Sequence, residues 1–161
     1  MVIVLIGVTG AGKTCVGMAL AEKLGWVFVD ADDLHGDGNL NKLHAGIPLE
    51  DADRRPWLDR VRTIIAAYVA RQQSVIVACS ALKHTYRRHL QIGPEVMFVY
   101  LNASQQVLEE RLNKRRGHFM NPSLLKSQLE TFEEPQDDIL AIDASRSPAE
   151  IVQLIRTALH V

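Results

Sequence analysis

Gly7-Val8-Thr9-Gly10-Ala11-Gly12-Lys13-Thr14 stands between an apolar run, Val2 to Ile6, and a helical pattern from Cys15 to Leu24. Strand, glycine loop and helix arrive in the order that a cradle for a nucleoside triphosphate requires. The glycines let the backbone adopt positive φ and approach phosphate oxygens, so that successive N–H groups point inward at a helix N-terminus, where the macrodipole favours anions. Lys13 is then placed to reach the β and γ phosphates and Thr14 to offer its hydroxyl to Mg²⁺. A plain glycine turn capped by Thr14 would explain a helix start. It would not explain a lysine between the last glycine and the hydroxyl.

Working outward, the 161 residues suit one domain over 1–161, with 47% hydrophobic and 23% charged residues, a composition that excludes a disordered chain. The formal net charge of −1 provides no global field to recruit nucleic acid or an anionic membrane. Any basic site must be local. Cys15 and Cys79 lack C-x-x-C or zinc-like spacing and read as small, buried, reduced residues. No apolar run approaches the ~18 residues of a membrane span, and no signal-peptide pattern opens the chain, so a cytoplasmic location is expected.

Apolar segments Val2–Ile6, Val27–Val29, Val75–Cys79, Met97–Leu101 and Ile139–Ile142 read as short buried strands. Thr14–Leu24, Pro56–Ala70, Lys83–Leu90, Ser104–Asn113 and Pro148–Leu159 read as helices, the last opened by a capping box of Ser147 and Glu150 around Pro148. This alternation predicts an α/β fold, a five-stranded parallel sheet with helices on both faces. Two polar segments interrupt the rhythm near strand ends, where open α/β sheets bind ligands. Residues 30–58 are expected to form the acceptor-binding region, and residues 114–135 a mobile lid.

Asp30-Ala31-Asp32, directly after the second strand, places two carboxylates on the same side of an extended chain beside the phosphate loop. One could help hold Mg²⁺ while the other orients an attacking hydroxyl and takes its proton. A solvated turn of aspartates is the bland alternative. After the third strand the chain reads Val77-Ala78-Cys79-Ser80, with no acidic residue to act as a second metal ligand, so the metal depends on Thr14 and Asp30. Arg111, Lys114, Arg115 and Arg116 concentrate cations within six residues, and Arg111 and Arg115 share a helix face. They suit a transferring phosphoryl group, or merely the C-terminal dipole of a helix. Lys83 and Arg87 likewise share a face and could hold an anion or line solvent.

With these residues in view the chain resembles the P-loop gluconate kinases of the nucleoside-monophosphate and shikimate kinase fold group. Beyond the loop, the resemblance is carried by Asp30 to His35; Asn39, Lys42 and Gly46 to Leu49; Asp53 to Leu58; Cys79 to Lys83 with Tyr86 and Arg87; Gly117 to Phe119; and Gln128 to Thr131 with Glu134 and Pro135. Gly36, Leu43, Leu129 and Phe132 depart from the family pattern. The resemblance implies transfer of phosphate from ATP, with Mg²⁺, to the terminal hydroxyl of D-gluconate by a cytosolic homodimer. It implies ATP binding by Gly7 to Thr14, with Arg111 stacking on adenine and Arg115 contacting phosphates. It places Asp30 with Thr14 at the metal and Lys13, Asp32 and Arg115 in catalysis. Asp32, His35, Arg54, Lys83, Arg87 and His118 would line the sugar-acid pocket. No partner of nucleic acid or membrane is implied.

Two rivals stand beside this reading. Another small-molecule P-loop kinase, such as a shikimate-type enzyme, would also use an aspartate pair after the second strand. A non-catalytic nucleotide switch would be expected to carry N-K-x-D, and Asn41-Lys42-Leu43-His44 lacks the aspartate.

Overall fold

A computed structural model describes residues 1–114, 122–135 and 138–161. The expected strands form: β1 (Val2–Ile6), β2 (Val27–Asp30), β3 (Val75–Ala78), β4 (Val96–Asn102) and β5 (Leu140–Asp143), although the two edge strands, β2 and β5, are only partly buried because each has a neighbour on one side alone. They pair in the order β2-β3-β1-β4-β5, every pair parallel. β1 is therefore central, and all five of its residues are buried. A strand covered on both faces has no need to alternate, which is why its sequence is a continuous apolar run.

The two-residue period of the strand divides the core into two layers. Ile3 and Leu5 pack with Val16, Leu20 and Ala21 of α1 (Lys13–Leu24) and with Ile151, Val152 and Ile155 of α7 (Pro148–Leu159). Val2, Val4 and Ile6 pack with Trp57, Leu58, Val61 and Ile65 of α3 (Asp51–Ala70) and with Tyr86 and Leu90 of α4 (His84–Leu90). α2 spans Asp37–His44, α5 Gln105–Lys114 and α6 Pro122–Thr131. Register does the rest of the positioning. Leu5 pairs with Ala78 and Asp30 with Ala78 from the other side, so the loops leaving β1, β2 and β3 open at one edge of the sheet.

The Ser147 capping box forms as expected, its hydroxyl accepting from the Glu150 N–H while Glu150 accepts from the Ser147 N–H at 2.9 Å. Other boundaries differ. The helix expected from Pro56 starts five residues earlier, where Asp53 accepts from the Glu50 N–H at 2.9 Å. Proline in the second turn forfeits one intrahelical bond, and the buried stripe Arg54, Trp57, Leu58, Val61 and Ile65 outweighs that loss. Within the polar segment after β2 lie a 3₁₀ turn, Ala31–Leu34, and α2, which buries none of its residues and so carries no apolar stripe to announce it. Cys79 is buried, as expected, but Cys15 is exposed because it lies on the outward side of α1. Among the described residues no helix is long and apolar enough to cross a membrane.

Gly17 lies inside α1, where alanine would ordinarily gain about 0.5–1 kcal/mol. Here a Cβ would sit 2.4 Å from the Phe28 ring and 3.3 Å from Leu5. Overpacking of this kind costs about 1–3 kcal/mol, so Gly17→Ala is expected to lower the thermal midpoint. A raised midpoint by differential scanning calorimetry would show that the Phe28 ring swings aside.

Candidate active site

The loop between β1 and α1 takes its shape from glycine. Gly7, Gly10 and Gly12 have φ of 139°, 82° and 99°, a conformation closed to most other residues. At Gly7 a Cβ would also meet the Leu101 carbonyl at 2.9 Å, so space and backbone angle exclude a side chain independently. The result is a concave run of backbone N–H groups ending at the N-terminus of α1. Lys13 Nζ arches back over this concavity and donates to the carbonyls of Gly7 and Val8 at 2.9 and 3.0 Å. Thr9 N–H is held by Gln128 Oε1 of α6 at 2.8 Å.

Asp30, the last residue of β2, joins this loop to the polar segment that follows the strand. Its Oδ2 accepts from the Thr14 hydroxyl at 2.7 Å and its Oδ1 from the Asp32 N–H at 3.0 Å. Hydroxyl and carboxylate oxygens are the ligand types that Mg²⁺ selects. Among the described residues no group of three or more His, Cys, Asp or Glu side chains could hold a metal by itself. The pair therefore fits a cation shared with nucleotide phosphates, which Mg²⁺ ordinarily prefers to an all-protein cage.

A cavity of about 580 Å³ runs from Thr9, Gly10, Gly12, Lys13 and Thr14 past Asp30, Asp32 and Asp33 to His35, Arg54 and Trp57, with Leu124, Ser127 and Gln128 on its other wall. Asp32 keeps surface open to this cavity but is enclosed by protein on its other sides. That enclosure raises its carboxyl pKa, Lys13 pulls it down, and the neighbouring Asp30 and Asp33 carboxylates push it up again, for a net rise. A carboxylate raised in this way holds a proton better, which is the property a general base needs.

His35 stacks on Trp57, ring centroids 4.5 Å apart and planes 14° from parallel. Trp57 is fixed in turn by its indole N–H, which donates to the Ala31 carbonyl at 2.6 Å. Burial, with the Arg54 and Arg60 cations, lowers the His35 pKa to about 4. Arg54 is buried, its guanidinium 6.0 Å from the centre of the Tyr86 ring and 3.5 Å from the Tyr86 hydroxyl.

The sequence-based site residues thus divide into three groups. Thr9, Gly10, Gly12, Lys13, Thr14, Asp30, Asp32, His35 and Arg54 line the cavity, while Val8 and Ala11 of the same loop are buried in the core and Gly7 shapes the loop from behind. Lys83 and Arg87 do not line it. Lys83 pairs with Asp51 at 2.8 Å, and the Tyr86 hydroxyl donates to the same carboxylate. Arg87 is buried beneath the next turn, donating to the carbonyls of Ala81, Leu82 and Glu133 at 3.0, 3.2 and 2.9 Å. Arg111 lies behind the phosphate loop, where it donates to the carbonyls of Gly10 and Ala11 at 3.3 and 3.1 Å and to that of Ala144. Arg115, His118 and the centre of the expected lid lie outside the described residues. Sequence reasoning gave no role to Trp57, Asn39, Tyr86 or Gln128. Asn39 meets His35 only four residues away, but Trp57, Tyr86 and Gln128 make their contacts across the chain, with Ala31, Asp51 and Thr9, where local spacing shows nothing.

A doubly covered parallel sheet, a glycine cradle with its lysine, and a carboxylate-bearing cavity beyond the strand ends define a P-loop kinase. A family model described as an AAA domain matches residues 2–135. A probable gluconokinase of Xenopus tropicalis is 43% identical, covering 96% of this chain and 91% of its own length. The thermosensitive gluconokinase of Escherichia coli is 40% identical over 96% of this chain and 85% of its own. The crystal structure of a gluconokinase from Sinorhizobium meliloti superposes with a TM-score of 0.85 at 42% identity, covering 98% of this chain and 93% of the other. The chain belongs to the gluconokinase family, within the AAA-domain group.

The depressed histidine has a consequence for stability. A His35 pKa of about 4 in the folded state, against 6.5 unfolded, means that the unfolded chain binds the extra proton first as pH falls. Stability from this group is complete above 6.5 and is lost as pH falls from there through about 4. His35→Gln is expected to flatten that part of the curve. Thermal midpoints against pH that fall in parallel for both proteins would remove His35 from the balance.

Proposed function

We propose that this chain transfers the γ-phosphoryl group of ATP to the terminal hydroxyl of D-gluconate, giving 6-phospho-D-gluconate and ADP. The observation that carries the reading is the cavity itself. The phosphate cradle lies at one end, Asp32 beside it, and a buried cation, Arg54, lines the wall. A polyhydroxylated acid needs this set of groups: one cation for its carboxylate, polar groups for its hydroxyls, and a base at the alcohol that attacks.

In this reading the loop N–H groups and Lys13 bind the triphosphate and stabilise the charge that spreads over the transferring group. Asp32 orients the terminal hydroxyl and accepts its proton, while Arg54 grips the carboxylate in a fork. Thr14 and Asp30 would hold Mg²⁺, which neutralises phosphate charge when bound. Lys83 and Arg87 support the wall from behind, the first through Asp51 and the second through three carbonyls. Arg111 holds the loop in shape and would present its guanidinium plane to adenine. The sequence supports Arg115 at the phosphates, His118 at the acceptor and residues 114–135 as the lid that keeps water from the phosphoryl group. Family membership supports a single domain over 1–161 that acts as a cytoplasmic homodimer, apart from nucleic acid and membrane.

ADP release coupled to NADH oxidation, measured across gluconate, other sugar acids and shikimate, tests the assignment. Stimulation by gluconate is expected, and its absence alongside stimulation by another acid would transfer the site to that acid. Asp32→Asn is expected to lower kcat by about 10²–10⁴-fold with little change in the KM for ATP. A variant as fast as the parent would remove Asp32 from proton transfer.

A further inference from the structure

Asn39 makes two hydrogen bonds from a single nitrogen. Its Nδ2 donates to the Asp53 backbone carbonyl at 2.9 Å and lies 3.2 Å from His35 Nδ1. A carbonyl can only accept, so the first contact identifies this atom as the amide nitrogen and not the amide oxygen. Its second hydrogen then meets His35 Nδ1, which must offer a lone pair. In a neutral imidazole the proton is therefore on Nε2. The ring can turn little to escape this arrangement, because it lies against Trp57, and Trp57 is held by Ala31.

Among the described residues Nε2 itself has no hydrogen-bond partner. His35 lines the cavity, and among the described residues the only buried side-chain nitrogen or oxygen without a hydrogen bond is Arg87 Nε, so His35 Nε2 is not sealed in. Among the described residues, the charged groups that act on the ring are Arg54 and Arg60 of α3, and both oppose a second proton on it. Arg60 is itself held where it stands, donating to the Leu34 carbonyl at 2.6 Å.

We propose that Asn39 is a positioning residue that fixes His35 as a neutral Nε2–H donor, and that this donor recognises a hydroxyl oxygen of the acceptor. The inference rests on the sugar-acid kinase reading for its ligand, but not for its tautomer. His35 is then neither a general base nor a second cation for the carboxylate. It tests for an oxygen lone pair at one position along the polyol, so an acceptor with hydrogen in place of that hydroxyl would leave the N–H unpaired. The rest of the segment keeps Asn39 in place: Lys42, one turn further along α2, bonds both Asp53 carboxylate oxygens at 2.8 Å.

Long-range ¹H–¹⁵N spectra of the uniformly labelled, unsubstituted protein read the tautomer directly. The His35 ring is expected to show a protonated Nε2 and a bare Nδ1 at about pH 6 to 8, the range in which an ordinary histidine titrates. Protonation at Nδ1, or a titration near the ordinary histidine value, would overturn the proposal. Two variants read the ligand contact. Glutamine can place its amide nitrogen where Nε2 stands, whereas asparagine reaches only to the place of Nδ1. His35→Gln is expected to keep the KM for gluconate within a few-fold and His35→Asn to raise it about 10-fold, with the KM for ATP little changed in both, as befits one neutral hydrogen bond. Equal KM values for the two would refute the donor role. Asn39→Asp should place a proton on Nδ1 in the same spectra and raise the KM for gluconate similarly, and an unchanged spectrum would show that Asn39 does not set the tautomer. If the spectra hold while gluconate fails as acceptor, the substrate assignment falls and the tautomer stands.

Discussion

The geometry of the site depends on one carboxylate at the end of one strand. Asp30 has two oxygens, and each is bonded to a different part of the machinery: Oδ2 to the Thr14 hydroxyl at the start of α1, Oδ1 to the Asp32 N–H in the turn that follows β2. Hydrogen bonds to a charged acceptor contribute about 1.5–3 kcal/mol where water is excluded and less where it is not. Both contacts here are solvent-exposed, so their importance is geometric more than energetic. They join the phosphate loop to the 3₁₀ turn after β2 through a single rigid group. The sheet makes this possible, since β3 lies between β1 and β2 and pairs with both in parallel register, bringing Leu5 and Asp30 level across Ala78.

The far wall of the cavity follows from a second constraint, that the exposed helix α2 buries none of its residues. Its polar side chains hold it in place. Asn39 and Lys42, one turn apart on α2, both reach Asp53, the first through its carbonyl and the second through its carboxylate. The same carboxylate accepts from the Glu50 N–H and so starts α3. Its pKa is lowered by the Lys42 hydrogen bond first and by the Glu50 N–H second, which means that this junction weakens as acid protonates it. Binding segments held by polar contacts in place of packing open at lower cost than the core, and they are where a ligand can close a cavity.

Legibility in the sequence tracked the range of the interactions involved. The phosphate loop was readable because its constraints are local: positive φ at Gly7, Gly10 and Gly12, and a helix that begins at the lysine itself. The central strands β1 and β3 were readable because burial on both faces erases alternation, and the edge strands β2 and β5 because they too are short and apolar. The helix α2 was not, since a helix without a buried face has no period to detect. Pro56 misplaced the start of α3 because the feature that starts it, Asp53 on the Glu50 N–H, resembles any acidic turn in sequence. The roles of Lys83 and Arg87 could not be read from their four-residue spacing. That spacing says that they share a face, but not that Asp51, 32 residues away, would hold the first, or that Glu133, 46 residues away, would hold the second.

The distribution of cations shows how one cavity can accept both a polyphosphate and a sugar acid. Asp30, Asp32 and Asp33 all line it, and on their own they would repel every anionic ligand. Lys13 offsets them at the phosphate end. Arg54 lines the same cavity, while Arg87 is withdrawn onto carbonyls and Lys83 is neutralised by Asp51. A protonated His35 beside Arg54 would add a second positive charge to the acceptor wall and would favour a dianion over a monocarboxylate. Its low pKa, caused by burial and then by Arg54 and Arg60, prevents this. On the proposed reading, Arg54, the neutral His35 and Asp32 would then serve the acceptor as cation, donor and base. A molecule with a single carboxylate and a row of hydroxyls satisfies all three, whereas a second phosphate would leave one negative charge without a partner.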